Sequence, residues 1–140
     1  MNTEHEKLVI EVADHLRLLF RSTQQDLNEL FVNDIPLNEF ATLRTIHLAK
    51  RPMMASELAY SLRVTSSHIT AVTDRLYKKG LITRERSDTD RRIVYMQITE
   101  PGKEMAAKLE RVRTDYYIEK FTGLNGIEMT QLKELLVRIL

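Results

Sequence analysis

The chain contains no cysteine among its 140 residues, which excludes disulfides, thiolate metal sites, iron–sulfur clusters and thiol-based peroxide sensing. Only four glycines and three prolines are present. No G-x-x-x-x-G-K-[ST] or G-x-G-x-x-G loop can be built from them, so phosphate-cradling loops are not expected. No apolar run is long enough to span a bilayer. The opening MNTEHEKLVIEVADHL mixes charges into an apolar period and holds no signal-peptide core. A cytoplasmic protein with no membrane partner is the expectation. An excess of one charge is lacking too, since 21 Lys and Arg face 20 Asp and Glu for a net charge of +1. Nucleic-acid partners usually show themselves as a basic excess, so the total argues against one until it is divided along the chain.

What is present is an ordinary globular mixture, 43% hydrophobic and 29% charged, in a length that fits one domain over 1–140. Residues 1–54 carry 6 basic and 8 acidic side chains, 55–99 carry 8 and 5, and 100–140 carry 7 and 7. Within 63–92 the count is 8 basic to 4 acidic. The positive charge is therefore gathered in the middle third.

Apolar residues at Leu8, Val12, Leu16, Leu19, Phe20, Leu27, Leu30 and Phe31 recur in helical steps and predict one long amphipathic helix. Such a length near the start of a small domain points to packing beyond its own core. Asn33 to Pro36 breaks it. A second helix follows, with Phe40, Leu43, Ile46, His47 and Leu48 as its buried candidates. Ala55–Leu62 reads as a short helix, 63–65 as a turn, and Thr65 as the N-cap of a helix from Ser66 to about Lys79 that Gly80 terminates. Beyond Gly80 the apolar period falls from 3.6 to 2, which predicts a two-stranded hairpin around the polar loop 87–92. Thr99 caps a further helix with Pro101 in its first turn, and Met129, Leu132, Leu135, Leu136 and Ile139 mark a last one.

The class expected is thus mainly α with a small β-hairpin, an α+β winged helix-turn-helix over 37–99 flanked by helical segments at 1–32 and 101–140. In that geometry the second helix of the motif is sized for a DNA major groove, with its front facing base edges. Thr65, Ser66, Ser67, His68 and Thr70 lie at that front, and Arg75 follows one to two turns on. Arg91 and Arg92 in the hairpin loop match the arginine preference of a narrow minor groove.

The stretch 52–104 resembles the MarR (multiple antibiotic resistance regulator) family. The matches are S-E-L-A at 56–59, D-R-L at 74–76, K-K-G-L-I at 78–82, R-x-R at 84–86, D-x-D-R-R at 88–92 and I-T-x-x-G at 98–102. Their order and spacing are more specific than any one of them. The resemblance implies a regulator of transcription, most simply a repressor, that binds a palindromic operator in double-stranded DNA as a homodimer. The terminal helices would form the dimer. It also implies an ion pair between Asp74 and a wing arginine, here Arg92, with Asp90 bracing the loop. A pocket for a small aromatic or phenolic effector would lie between the two lobes, with Arg17, Arg21 and His47 as candidate lining. Two positions depart from the family pattern: Met54 stands where Thr or Ser caps the first motif helix, and Glu128 where a small hydroxyl residue precedes the last helix.

Other readings are weaker. His5, His15 and His47 lie on different elements with no His-x3-His spacing, so neither a metal nor any other cofactor is expected. No nucleophile and base stand in a supporting context, so an enzyme is not expected. The competing class is a winged-helix module that docks proteins without binding DNA, which the basic middle third disfavours.

Overall fold

The stripe that begins at Leu8 is carried by a longer helix than its period requires. In the computed structural model, which describes residues 3–140, α1 runs Thr3–Leu30. Met1 and Asn2, at the edge of the expected N-terminal segment, lie outside the described residues. Only the C-terminal end of α1 enters the core, through Thr23 and Leu27, and the chain then turns through Phe31 and Ile35 into α2 at Leu37–Ala49. Phe31 meets Phe40 edge-to-face at 5.2 Å between ring centres, a favourable aromatic geometry. Phe40, Leu43 and Ile46 are buried as their spacing requires, but Leu48 is exposed. Two residues beyond Ile46 is about 200° around a helix, so Leu48 points outward; His47 is half-buried.

A short strand, β1 at Met53–Met54, precedes α3 at Ala55–Leu62 and α4 at Ser66–Lys78. The hairpin strands are β2 at Ile82–Arg86 and β3 at Val94–Ile98. The sheet has three strands, not the expected two, in the antiparallel order β1-β3-β2 with Met53 opposite Met96 and Arg84 opposite Met96 on the other edge. Met54 offers no capping hydroxyl to α3. Instead Glu57 reaches back to accept from the Met54 amide at 3.0 Å while holding Arg51 at 2.6 Å, so one orphan amide is satisfied from inside the helix. The guanidinium of Arg51, ahead of the Met54 amide, draws the Glu57 carboxyl below its usual range.

Two terminal helices follow, α5 at Glu100–Lys120 and α6 at Gly126–Ile139. Asn125, not residue 128, caps α6: its side chain accepts from the Glu128 amide at 2.9 Å, and Glu128 accepts from the Asn125 amide at 3.0 Å. Glu128 is therefore the acid of a capping box. Met53, Leu58, Ile69, Val72, Leu76, Ile82, Met96 and Leu109 complete a core that lies under the motif, while α6 buries none of its residues.

Polar contacts lash α5 to α1, α2 and the turn between them. Arg44 Nε donates to Glu110 at 2.8 Å, Lys108 to Asp34 at 2.8 Å, and the Tyr116 hydroxyl to Asp26 at 2.5 Å. Burial, and then the adjoining Asp26 carboxylate, push the Tyr116 phenol from 10.0 up to about 12. A raised folded pKa means that the neutral, donating phenol stabilises the fold fully below about pH 10 and ceases to do so as pH climbs towards 12. The tyrosinate absorbance lost in Tyr116→Phe should therefore titrate near pH 12; a midpoint near 10 would show that the α1–α5 contact is open in solution.

Candidate nucleic-acid interface

The helix front is built by its cap. Arg63 takes a left-handed conformation at φ 54°, which reverses the chain after α3. Thr65 then caps α4, its hydroxyl accepting from the His68 amide at 3.1 Å. Ile69, Val72, Thr73 and Leu76 turn into the core, and this fixes which residues face out. Ser66 and Ser67 are exposed. Thr70 is exposed as well, and its hydroxyl donates to the Ser66 carbonyl at 2.9 Å, which leaves its lone pairs for incoming donors. Ser67, Ala71, Arg75 and Lys79 form one exposed row at steps of four. His68 is half-buried and turns from this row into a cavity of about 720 Å³.

At the far end of α4, Gly80 supplies the left-handed φ of 75° that delivers the chain to β2. The wing loop is held by its own polar groups. Ser87 Oγ accepts from the amides of Thr89 and Asp90 at 3.2 and 3.3 Å, and the Arg91 carbonyl accepts from Arg86 at 2.6 Å. Asp90 accepts from the Arg92 amide at 3.0 Å and from two guanidinium nitrogens of Arg92 at 3.1 Å each. These bonds hold the Asp90 carboxyl below its ordinary range, the Arg92 side chain contributing most. Arg91 and Arg92 are both exposed.

The expected Asp74–Arg92 pair does not form. Asp74 instead takes Lys78 at 2.9 Å and Arg84 of β2 at 3.5 Å, and the Lys78 hydrogen bond leads in lowering its pKa. Arg92 is captured by Asp90 two residues before it, whereas Arg84 lies beside α4 because Gly80 and Leu81 fold β2 back along that helix. The Arg84 guanidinium also sits 3.9 Å over the Tyr77 ring, a cation–π contact. The helix–wing tie is therefore made through the strand arginine, a role that its place in the R-x-R match did not reveal.

The residues expected to line an effector pocket are not brought together. Arg17 and Arg21 lie exposed on α1. His47 lines a separate cavity of about 400 Å³ with Lys50, Arg51, Ile98 and Lys103, to which α1 contributes nothing. The larger cavity between α1 and the motif is lined by Phe20, Gln24, Asn28, Leu37, Arg63 and His68 among others. Among the described residues no three His, Asp or Glu side chains are placed to share a metal ion, and no helix is long and apolar enough to cross a membrane.

A second missed residue is Glu39, whose side chain is 2% exposed and lies between Lys79 at 2.6 Å and Arg75 at 3.3 Å. Its signal was an acid four residues before Leu43, on the apolar stripe of α2.

A capped helix with a polar front, set beside a hairpin with outward arginines, defines a winged helix-turn-helix transcription regulator. The family model described as the MarR family matches residues 35–94. The uncharacterised helix-turn-helix-type transcriptional regulator YpoP of Bacillus subtilis is 34% identical over 133 residues, covering 95% of this chain and 94% of that one. Among solved structures, a mutant MarR from E. coli complexed with operator DNA is 27% identical with a TM-score of 0.84, covering 94% of this chain and 95% of that one. The transcriptional regulator BldR from Sulfolobus solfataricus is 27% identical with a TM-score of 0.80, covering 99% of each chain. The chain belongs to the MarR family.

Proposed function

We propose that the protein is a cytoplasmic, homodimeric repressor that binds a palindromic operator in double-stranded DNA and is released by a small aromatic or phenolic effector. The observation that carries the DNA reading is the exposure of Ser66, Ser67, Thr70 and Arg75 on α4 beside the outward Arg91 and Arg92. Small hydroxyls at a helix front can approach phosphates and base edges closely. Two wing arginines suit the narrow minor groove next to it. Thr65 acts on α4 itself as its cap, while Asp74 and Asp90 orient Arg84 and Arg92. Similarity to a MarR solved on operator DNA supports the same reading.

The dimer reading rests on α1, α5 and α6. Leu8, Val12, Leu16 and Leu19 lie on one stripe of α1 and are 57%, 50%, 39% and 36% exposed, and Ile118, Leu135, Val137 and Ile139 add to the uncovered apolar surface. So large an uncovered apolar area is a liability for a lone soluble chain. Two copies joined there would present two α4 helices to half-sites about 10 bp apart. The cavity lined by Phe20, Asn28, Arg63 and His68 joins α1 to the motif, and an effector there would act on both lobes.

Duplexes selected from a random library should bind with steep salt dependence; failure to select any duplex at low salt would sink the DNA reading. Ser67→Ala and Arg92→Ala should each weaken the selected duplex by roughly tenfold, within the range of about 1–3 kcal/mol for a lost base or groove contact. Both should leave the dimer intact by size-exclusion chromatography, and a monomer in either case would show that the DNA and dimer surfaces are misassigned.

A further inference from the structure

Glu39 sits in the first turn of α2, between Pro36 and the core residues Phe40 and Leu43. Its amide donates to the Pro36 carbonyl at 3.1 Å, and the helix N-terminus favours its negative charge. Few acids in the chain are so fully enclosed: its side chain is 2% exposed, against 38% for Asp74 and 33% for Asp90. The two cations it meets come from one face of the reading helix. Lys79 Nζ donates to Oε1 at 2.6 Å, and Arg75 Nε stands 3.3 Å from Oε2. A carboxylate buried this way needs a partner, because an unpaired buried charge is costly. It has two, and both continue the exposed row that starts at Ser67.

The two partners are treated differently. Lys79 presents its only charged atom to Glu39. Arg75 meets Glu39 at Nε, the inner edge of its guanidinium, and its side chain stays 47% exposed. A guanidinium anchored at Nε offers a fixed planar fork, the geometry that reads paired acceptors on a base. Freed from Glu39, the same two side chains would be mobile cations one turn apart, able to follow phosphates on any sequence.

We propose that Glu39 is a specificity-determining positioning residue: it withholds Lys79 from the phosphate backbone and fixes the Arg75 fork, so that α4 favours its operator over other duplexes. This rests on the DNA reading above. The core around Glu39 holds the carboxylate in place, and the selectivity of the helix is set partly from α2, which does not itself enter the groove.

The test measures the affinity of the intact protein for a duplex selected by the wild type and for a scrambled duplex of the same composition, across a salt series. Glu39→Gln keeps the shape and removes the charge. It should bind the scrambled duplex several-fold tighter, with a log–log salt slope steeper by about 0.9, one added phosphate contact. The ratio of selected to scrambled affinity should fall by about tenfold, as expected when a base-reading fork is lost. Lys79→Gln supplies a second readout that does not remove the buried acid: its salt slope should equal that of the wild type. Equal weakening of both duplexes by Glu39→Gln at unchanged slope would mark Glu39 as a packing residue and overturn the proposal. So would a Lys79→Gln slope shallower by about 0.9, which would place Lys79 on a phosphate. Absence of wild-type binding to any duplex would instead defeat the DNA reading itself, a distinguishable result.

Discussion

Gly102→Ala should destabilise the protein by about 3 kcal/mol, the upper end of what overpacking costs, and lower the melting temperature by roughly 10 °C. Gly102 lies in the first turn of α5 and is buried. A Cβ built on it would stand 2.1 Å from the Leu81 carbonyl oxygen and 2.7 Å from Ile98 Cγ1. The first neighbour is backbone and cannot swing aside. It is also in use: the Leu81 carbonyl accepts from the Thr99 amide at 3.1 Å, the Thr99 hydroxyl donates to the Gly80 carbonyl at 2.7 Å, and the same hydroxyl accepts from the Gly102 amide at 3.1 Å. Moving α5 off by the distance a methyl needs would break the cap of that helix and loosen the start of β2 together. Helix propensity runs the other way, since alanine in a helix interior is better than glycine by about 1 kcal/mol. Gly126→Ala is the control, because nothing lies within 4 Å of a Cβ there, and it should shift stability by no more than about 0.5 kcal/mol. Thermal or urea unfolding of the two variants checks both, and a Gly102→Ala protein as stable as the wild type would show that α5 does not pack on Leu81 so closely.

The same junction explains what could be read from the sequence. The I-T-x-x-G run at 98–102 carries the strand end and the cap, each a local device with a residue type to mark it. Thr65, Gly80 and the change of period after Gly80 are legible for the same reason: a cap, a left-handed turn and a pleat each impose themselves within a few residues. The residues that escaped notice are those whose role depends on distant chain. β1 has two residues and no period of its own, and it exists because Met53 meets Met96 across the sheet. Glu39 stands on the apolar stripe of α2, but its partner is a lysine 40 residues later that only the fold brings onto it. Asp26 and Tyr116, 90 residues apart, carry no mutual signal at all. Asp74 meets a different partner from the wing arginine that the family pattern names, because the local competitor Asp90 reaches Arg92 first. The charge total misled in a similar way, because the cations that matter are set by position on one helix and one loop.

Val12→Glu should convert the proposed dimer into a monomer and weaken operator binding by about 100-fold or more. Val12 lies halfway along the α1 stripe and is 50% exposed in the single chain, and Leu16, one turn on, is 39% exposed. At a free surface a glutamate there would alter stability by no more than about 0.5 kcal/mol. Against a partner's apolar face the same carboxylate would be buried without a cation, a penalty of several kcal/mol. The size of the binding effect follows from linkage of two half-sites: joining two modules raises affinity by about 10² to 10⁴ over either alone, and separation of the protomers forfeits that gain. Affinity for an isolated half-site should stay at the wild-type value, since Ser67, Arg75 and Arg92 are untouched. Leu48→Glu serves as the comparison, because Leu48 is 57% exposed on α2, outside the α1 stripe, and should leave both mass and binding unchanged. Light scattering with parallel titrations of full and half operators separates the possibilities. A Val12→Glu protein that remains dimeric and binds the full operator as the wild type does would place the interface elsewhere, and the exposed stripe of α1 would then need another cover.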